Sequence, residues 1–383
     1  MVGERVRVLL LSWRDTTHPQ GGGSEVYAER VAAGLSSRGH QVTMFCAAHR
    51  GAPAEETTRD GVRIVRGGGE ISVYPHAALS YASGRLGPAD VVVDVQNGIP
   101  FAARAWFPGP VVLLCHHVHR EQWPVVRGPL GARVGWAVES RLSPWLNRGT
   151  PYVTVSQASA AELVTLGVDR AAVTVIYNGT DEPPPVRHAR SATPLLCVLG
   201  RLVPHKRVEV AIDVVAALRS RHRGLRLAVV GRGWWEDELR AHAARRGLGE
   251  DVVEFTGWVD ERTKHAWLER AWVSLVPSLK EGWGLAVVEA AAHGVPSVAF
   301  ASAGGVAESV LHGRTGLLAG GVDEFTGHVA RLLDDDELRR RYASAARAHA
   351  AHYTWSETVD QWEALLLRAA GRSLPAEDYR FTP

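Results

Sequence analysis

Short runs of Val, Leu and Ile recur along the chain, each followed by a stretch in which apolar residues return every three to four positions. The first pair is residues 5–12 and 25–38, and residues 41–46 open the next. A continuous apolar run suits a strand buried on both faces, and a 3.6-residue period suits a crossover helix, so the alternation predicts parallel βαβ units. Further strands are expected at 62–65, 90–95, 111–115, 152–156 and 173–176, which together make one doubly wound sheet. The rhythm stops where Pro183, Pro184 and Pro185 remove ladder donors and favour an extended connector. It restarts with strands expected at 195–199, 225–230, 252–255, 273–276 and 297–300 and helices at 208–219 and 236–246.

The predicted fold class is therefore α/β, with two Rossmann-like doubly wound parallel-sheet domains facing across a cleft. The expected units are 1–182, 183–354 and 355–383. Helical periodicity runs almost unbroken from 323 to 370, and the final helix is expected to cross back onto the first unit. The tail after Gly371 shows no periodicity.

Composition narrows the function classes. Lys plus Arg number 43 against 41 Asp plus Glu, a net charge of +2, without the basic excess of a bulk nucleic-acid binder. The apolar run at 8–11 is too short for a secretory leader, and later runs are interrupted by Asp94, Glu289 and His293 before membrane-spanning length. The expectation is a cytoplasmic protein, at most peripheral to a membrane. Cys46, Cys115 and Cys197 are scattered in apolar stretches and fit buried thiols in a reducing compartment. Only Lys206, Lys264 and Lys280 are lysines in this arginine-rich chain, which singles them out. Arg127, Arg133, Arg141 and Arg148, interleaved with Trp136, Leu142, Trp145 and Leu146, form a stretch that could touch anionic lipid or an acidic acceptor.

The densest chemistry lies in residues 277–291, from the end of an expected strand into a helix. Gly282 and Gly284 permit close backbone approach, and the helix start aims N–H groups near Gly284 and Leu285 at the crevice, which makes an anion site. Glu281 and Glu289 sit about two helical turns apart and can reach different hydroxyls of one elongated ligand. Glu289 lies within an almost wholly apolar helix, where an unpaired carboxylate is costly. Arg201 and Lys206, again beyond a strand, can converge on a diphosphate. Gly22 and Gly23 join the first strand to its helix. His116, His117 and His119 follow the strand at 111–115 but complete no metal-ligand spacing, so one strand-end histidine facing a sugar is the better functional reading. No nicotinamide or flavin fingerprint is complete.

Together these residues carry a resemblance. The arrangement E-G-W-G-L-x-x-x-E-A at 281–290, the G-R-L-x-x-x-K run at 200–206, the Gly22-Gly23 loop, Asn178-Gly179, Val155-Ser156, Phe255-Thr256-Gly257, Gly304-Gly305 with Glu308, and 315–318 resemble the retaining family 4 glycosyltransferases of GT-B fold. The match runs in order along nearly the whole chain.

The resemblance implies that the second domain binds a nucleotide-diphosphate sugar, UDP- or GDP-linked, and that the first supplies the acceptor surface. It implies catalytic roles for His116, Arg201, Lys206 and Glu281. Donor binding would fall to Gly22, Gly23, Arg201, Lys206, Glu281, Gly282, Gly284, Leu285 and Glu289, with Glu289 on the ribose and Glu281 on the donor sugar. No metal and no further cofactor are implied. The reaction would be front-face displacement with retention. Trp283 stands where phenylalanine is commoner, and His205 where an acidic residue often precedes the lysine. His117, His119, Arg120 and Glu121 are expected to face the acceptor. A sugar-nucleotide 2-epimerase of similar architecture and a non-catalytic nucleotide-sugar sensor are the alternatives.

Overall fold

The computed structural model describes residues 4–373, so residues 374–383 of the expected C-terminal unit lie outside the described residues. Eight strands form the first sheet: β1 (Arg7–Leu11), β2 (Gln41–Cys46), β3 (Glu55–Thr57), β4 (Arg63–Arg66), β5 (Val91–Gln96), β6 (Val111–Cys115), β7 (Tyr152–Thr154) and β8 (Val173–Val175). Their order is β3-β4-β2-β1-β5-β6-β7-β8, parallel throughout except where β3 pairs antiparallel to β4 at the edge. β5 and β6 are buried at every position, as helices on both faces of a parallel sheet require. Asp94 sits inside β5 with its carboxylate accepting the backbone N–H groups of Phe101 (2.8 Å) and Ala103 (3.0 Å), and burial pushes its pKa up to about 6.

The second sheet holds β9 (Leu195–Leu199), β10 (Arg226–Val230), β11 (Val253–Gly257), β12 (Val273–Val276), β13 (Ser297–Phe300) and β14 (Gly316–Ala319), in the order β11-β10-β9-β12-β13-β14. All its pairings are parallel. In both sheets the order reverses beside the first strand, between β1 and β5 and between β9 and β12. Ligand crevices open beyond the carboxyl ends of strands at such points, so the loops after β1, β6, β9 and β12 are the places to look for chemistry.

The long helical stretch near the C-terminus breaks into helices Val322–Asp334, Asp336–Ala350 and Trp355–Ala369. Asp335 starts the second of these by accepting the Leu338 N–H at 2.8 Å. The last helix packs on helix Gly23–Ser37 of the first sheet's layer. There the buried Trp362 indole donates to the Tyr27 hydroxyl (2.7 Å), and Arg38 pairs with Asp360 (2.5 Å) and Glu363 (2.6 Å). Leu365 and Leu366 join the same core, each contributing about 1.5–3 kcal/mol by leaving water.

The chain crosses between the sheets near residue 180 and again near residue 354, and the two crossings touch: the Thr180 N–H donates to the Tyr353 carbonyl at 2.8 Å. A Cβ at Gly179 would lie 2.4 Å from the Trp355 backbone nitrogen, so only glycine fits there. Cys46, Cys115 and Cys197 are free and buried. Among the described residues no helix is long and apolar enough to cross a membrane.

Candidate active site

On the second sheet's side, the loops after β9 and β12 face each other. Lys206 closes the short turn Pro204–Lys206 and places its ammonium on Glu281 Oε1 (2.5 Å), while the Ser278 hydroxyl donates to the same oxygen at 2.7 Å. Burial opposes ionisation of Glu281, but the Lys206 charge and these hydrogen bonds outweigh it and hold the carboxyl below its usual range. Arg201, Lys206, Ser278 and Glu281 line one pocket of the cleft. Gly284 adopts φ +91°, a left-handed conformation that starts helix Leu285–Ala292 and leaves its first N–H groups free of helical partners.

Glu289, whose carboxylate would be costly unpaired in its apolar helix, has a protein partner. Its Oε1 receives the Lys264 ammonium at 2.7 Å, and Lys264 also pairs with Glu261 at 2.7 Å. Desolvation alone would lower the Lys264 pKa, yet Glu289 and Glu261 outweigh it and raise it. A second pocket is lined by Thr180, Lys264, His265 and Glu289. The third lysine, Lys280, pairs with Glu162 of the first sheet's layer. Every lysine singled out by its rarity thus holds a carboxylate in or across the cleft.

The two halves meet at close quarters. Arg201 Nη1 donates to the Gln20 carbonyl at 3.2 Å, and a Cβ at Gly22 would lie 2.8 Å from Arg201 Nε. Gly23 abuts Leu285, whose Cδ1 is 3.0 Å from where a Cβ would stand. Gly282 passes so near the His116 carbonyl that a Cβ there would be 2.5 Å from it. Trp283 is buried from the second half into the first sheet's core, its ring 4.6 Å from Tyr177 and 4.9 Å from Tyr353. Glu308 accepts the backbone N–H groups of Gln157 (2.9 Å) and Ala158 (2.7 Å), a carboxylate from one half placed on the positive helix start of the other.

On the first sheet's side, His116 is buried, its ring edge-on to Tyr27 at 5.2 Å, and its Nε2 has no partner. Burial pushes its pKa down to about 4, so the ring is neutral. His117 and His119 stack at 4.3 Å. Arg120 and Glu121 are not brought into this group: both are exposed, and Arg120 lies 5.6 Å over the Trp136 ring. Trp136 itself packs inward on a buried cluster rather than joining a basic outer face. Among the described residues no three His, Cys, Asp or Glu side chains are arranged to hold a metal ion. Sequence reasoning missed Glu139, which holds His119 and Trp123, because one glutamate in an amphipathic stretch carries no signal of its own.

The pattern of the family described as Glycosyltransferase Family 4 matches residues 21–182, and that of Glycosyl transferases group 1 matches residues 181–349. The chain is 28% identical to a glycogen synthase of Mycobacterium tuberculosis, over 96% of this chain and 95% of that one. It is 29% identical to the GDP-mannose-dependent alpha-(1-6)-phosphatidylinositol monomannoside mannosyltransferase of the same species, over 95% and 97% respectively. Sucrose-phosphate synthase from Thermosynechococcus elongatus superposes with a TM-score of 0.82 at 19% identity, covering 95% of this chain and 99% of that one. The chain belongs to glycosyltransferase family 4, within the glycosyl transferases group 1, and is a GT-B-fold glycosyltransferase that uses nucleotide-sugar donors.

Proposed function

We propose that the protein retains anomeric configuration while moving a glycosyl group from a UDP- or GDP-sugar to a hydroxyl acceptor, with unit 183–354 holding the donor and unit 1–182 the acceptor. The observation that carries this reading is the Lys206–Glu281 pair beside Arg201 at the point where the second sheet's strand order reverses. Lys206 and Arg201 would neutralise the diphosphate as the glycosidic bond breaks. Glu281 would exchange part of its lysine contact for donor sugar hydroxyls, and Glu289 would hold the ribose. Backbone N–H groups at Gly284 and Leu285 add to the phosphate site, and neutral His116 offers a ring nitrogen to the sugar. The departing phosphate oxygen takes the acceptor proton, so no protein nucleophile is needed. GDP-mannose is the donor named for one full-length relative, which supports including guanine among the candidate bases.

Calorimetry with UDP-, GDP-, ADP- and dTDP-sugars tests the donor assignment, and the absence of binding to all four would sink it. NMR of the product's anomeric coupling tests retention. A 2-epimerase would convert donor without acceptor, and a sensor would bind donor without transferring or hydrolysing it.

A separate observation supports peripheral contact with an anionic bilayer. Along residues 125–148, Leu130 (76%), Trp145 (68%) and Val134 (57%) are exposed beside Arg133, Arg141 and Arg148, which make no ion pair among the described residues. The sole acidic residue of residues 122–148, Glu139, is buried. Outward apolar and cationic groups complement an anionic lipid surface, and Glu70 meets the stretch at Arg127. Sedimentation with phosphatidylserine vesicles at low salt should remove the protein from the supernatant, and failure to do so removes the proposal.

A further inference from the structure

The loop after β6 is held by a residue outside it. Glu139 lies in a π-helical turn, Val138–Leu142, between helices Pro129–Ala137 and Ser143–Leu146. Such turns are rare and recur at functional sites. Here the turn carries Glu139, 1% exposed, between exposed Ala137 and Arg141. Its Oε1 accepts the His119 backbone N–H (3.0 Å) and faces His119 Nδ1 (2.9 Å), and its Oε2 accepts the Trp123 indole N–H (2.7 Å). Since a carboxylate only accepts, Nδ1 carries the proton.

His119 stacks on His117 at 4.3 Å with 33° between the rings. His117 Nε2 is buried without a partner, and so is Nδ1 of His205, which comes from the opposite half one residue before Lys206. His205 sits on the same short turn as Lys206, and its carbonyl accepts the Leu279 N–H at 2.8 Å, which ties it to the loop that carries Glu281. Buried ring nitrogens without a protein partner call for an explanation, and a polar ligand supplies one.

We propose that Glu139 is a positioning residue for the acceptor: it fixes His119 and the His117 ring stacked on it, so that the free nitrogens of His117 and His205 hydrogen-bond neutral hydroxyls of a sugar or polyol from opposite sides of the cleft. This rests on the glycosyltransferase reading and deepens it. Burial pushes the His117 pKa well down and that of His205 to about 4, so both rings are neutral at pH 7. A neutral imidazole has one donor and one acceptor, as a hydroxyl does, whereas a phosphate offers acceptors alone and asks for cations. Lys206 is engaged by Glu281, Arg201 by the Gln20 carbonyl, and Arg120 is exposed over Trp136. The class is therefore a neutral hydroxyl face.

The test uses the full chain labelled with 15N-histidine at pH 7, titrated with methyl α-D-mannopyranoside and, separately, inorganic phosphate. The sugar should move the ring resonances of His117 and His205, assigned through His117→Asn and His205→Asn, while phosphate leaves that of His117 in place. Glu139→Gln turns an amide N–H toward either the His119 or the Trp123 donor, so it should shift the Nδ1–H signature of His119 and weaken the sugar about tenfold, the effect of losing one hydrogen bond. The double variant Glu139→Gln with Trp123→Phe removes the indole N–H that the new amide would oppose, and should recover most of that affinity. The proposal is overturned if about 100 mM sugar moves neither ring, if phosphate moves the His117 ring instead, if Glu139→Gln binds sugar as the parent does, or if the double variant recovers nothing. Nucleotide-sugar binding on the same parent sample separates the two readings: its absence strikes the donor assignment, while its presence without the sugar shifts strikes this proposal alone.

Discussion

The two walls of the cleft are built on opposite electrostatic plans. The wall from the second half, proposed for the donor, is ionic and already paired, Lys206 with Glu281 and Lys264 with Glu289. The wall from the first half, proposed for the acceptor, presents unpaired ring nitrogens on His116 and His117 beside two buried glutamates, Glu25 and Glu139. A ligand of the first wall must exchange partners with existing ion pairs, so its affinity depends on how well it replaces them. A ligand of the second finds unpaired ring nitrogens. On the proposed reading, rate and specificity fall to different walls, because the ionic wall is the one that can answer the charge that grows on a leaving diphosphate.

The largest effect that would break this contrast is expected at Lys206. Lys206→Ala should lower kcat about a hundredfold to a thousandfold, roughly 3–4 kcal/mol, as for loss of one preorganised charge-stabilising donor. The remaining activity should lose its acid limb at a higher pH, since Glu281 no longer has the ammonium that depresses its pKa. Steady-state kinetics across pH would show both, and a change confined to donor KM would refute the leaving-group role. Glu289→Ala comes next: donor KM should rise with kcat retained, corresponding to about 1.5–3 kcal/mol of uniform binding. An unchanged KM would remove the ribose assignment.

Acid reaches buried histidines of both halves without mutation. Burial pushes the His116 and His205 rings down to about 4, against about 6.5 in an unfolded chain, so the unfolded chain takes up their protons first. Stability is then fully present above pH 6.5 and declines as pH falls toward 4, by about 2 kcal/mol per group at pH 5. Glu281, held below its ordinary range, stays ionised there. Calorimetric melts from pH 7.5 to 5 should show the fall, while nucleotide binding persists to lower pH than use of the acceptor. The smallest effect belongs to Glu308→Gln. Removing charge from the start of helix Gln157–Thr165 should cost about 1 kcal/mol, seen as a lower thermal midpoint.

What the sequence discloses follows from range. Strands such as β5 and β6 are buried on both faces and show as unbroken apolar runs, and the three prolines mark the connector. β3 is invisible because its Glu-Glu-Thr composition has neither apolar run nor alternation, and it exists only by pairing with β4. The helical stretch at 323–370 hides its breaks because Asp335 looks like one more polar position until its side chain is seen capping. In the site, Arg201, Lys206 and Glu281 were legible because they follow strand ends in a known rhythm. The partner of Glu289 was not, since Lys264 is 25 residues away on another helix and no local pattern encodes that meeting. Only its rarity drew attention to it. Glu139 had neither rhythm nor rarity.

The double crossing of the chain near Thr180 and Thr354 has a practical consequence for building chimaeras. Because helix Trp355–Ala369 completes the first core through Trp362, a donor module cannot be transplanted as everything downstream of the triple proline. The exchangeable cassette is an interior segment, and its two seams must be cut side by side at the Thr180–Tyr353 contact. A graft that replaces the recipient's final helix along with the donor module leaves a tryptophan-sized void in the first domain, and aggregation of such hybrids would say nothing about the donor specificity they were made to test.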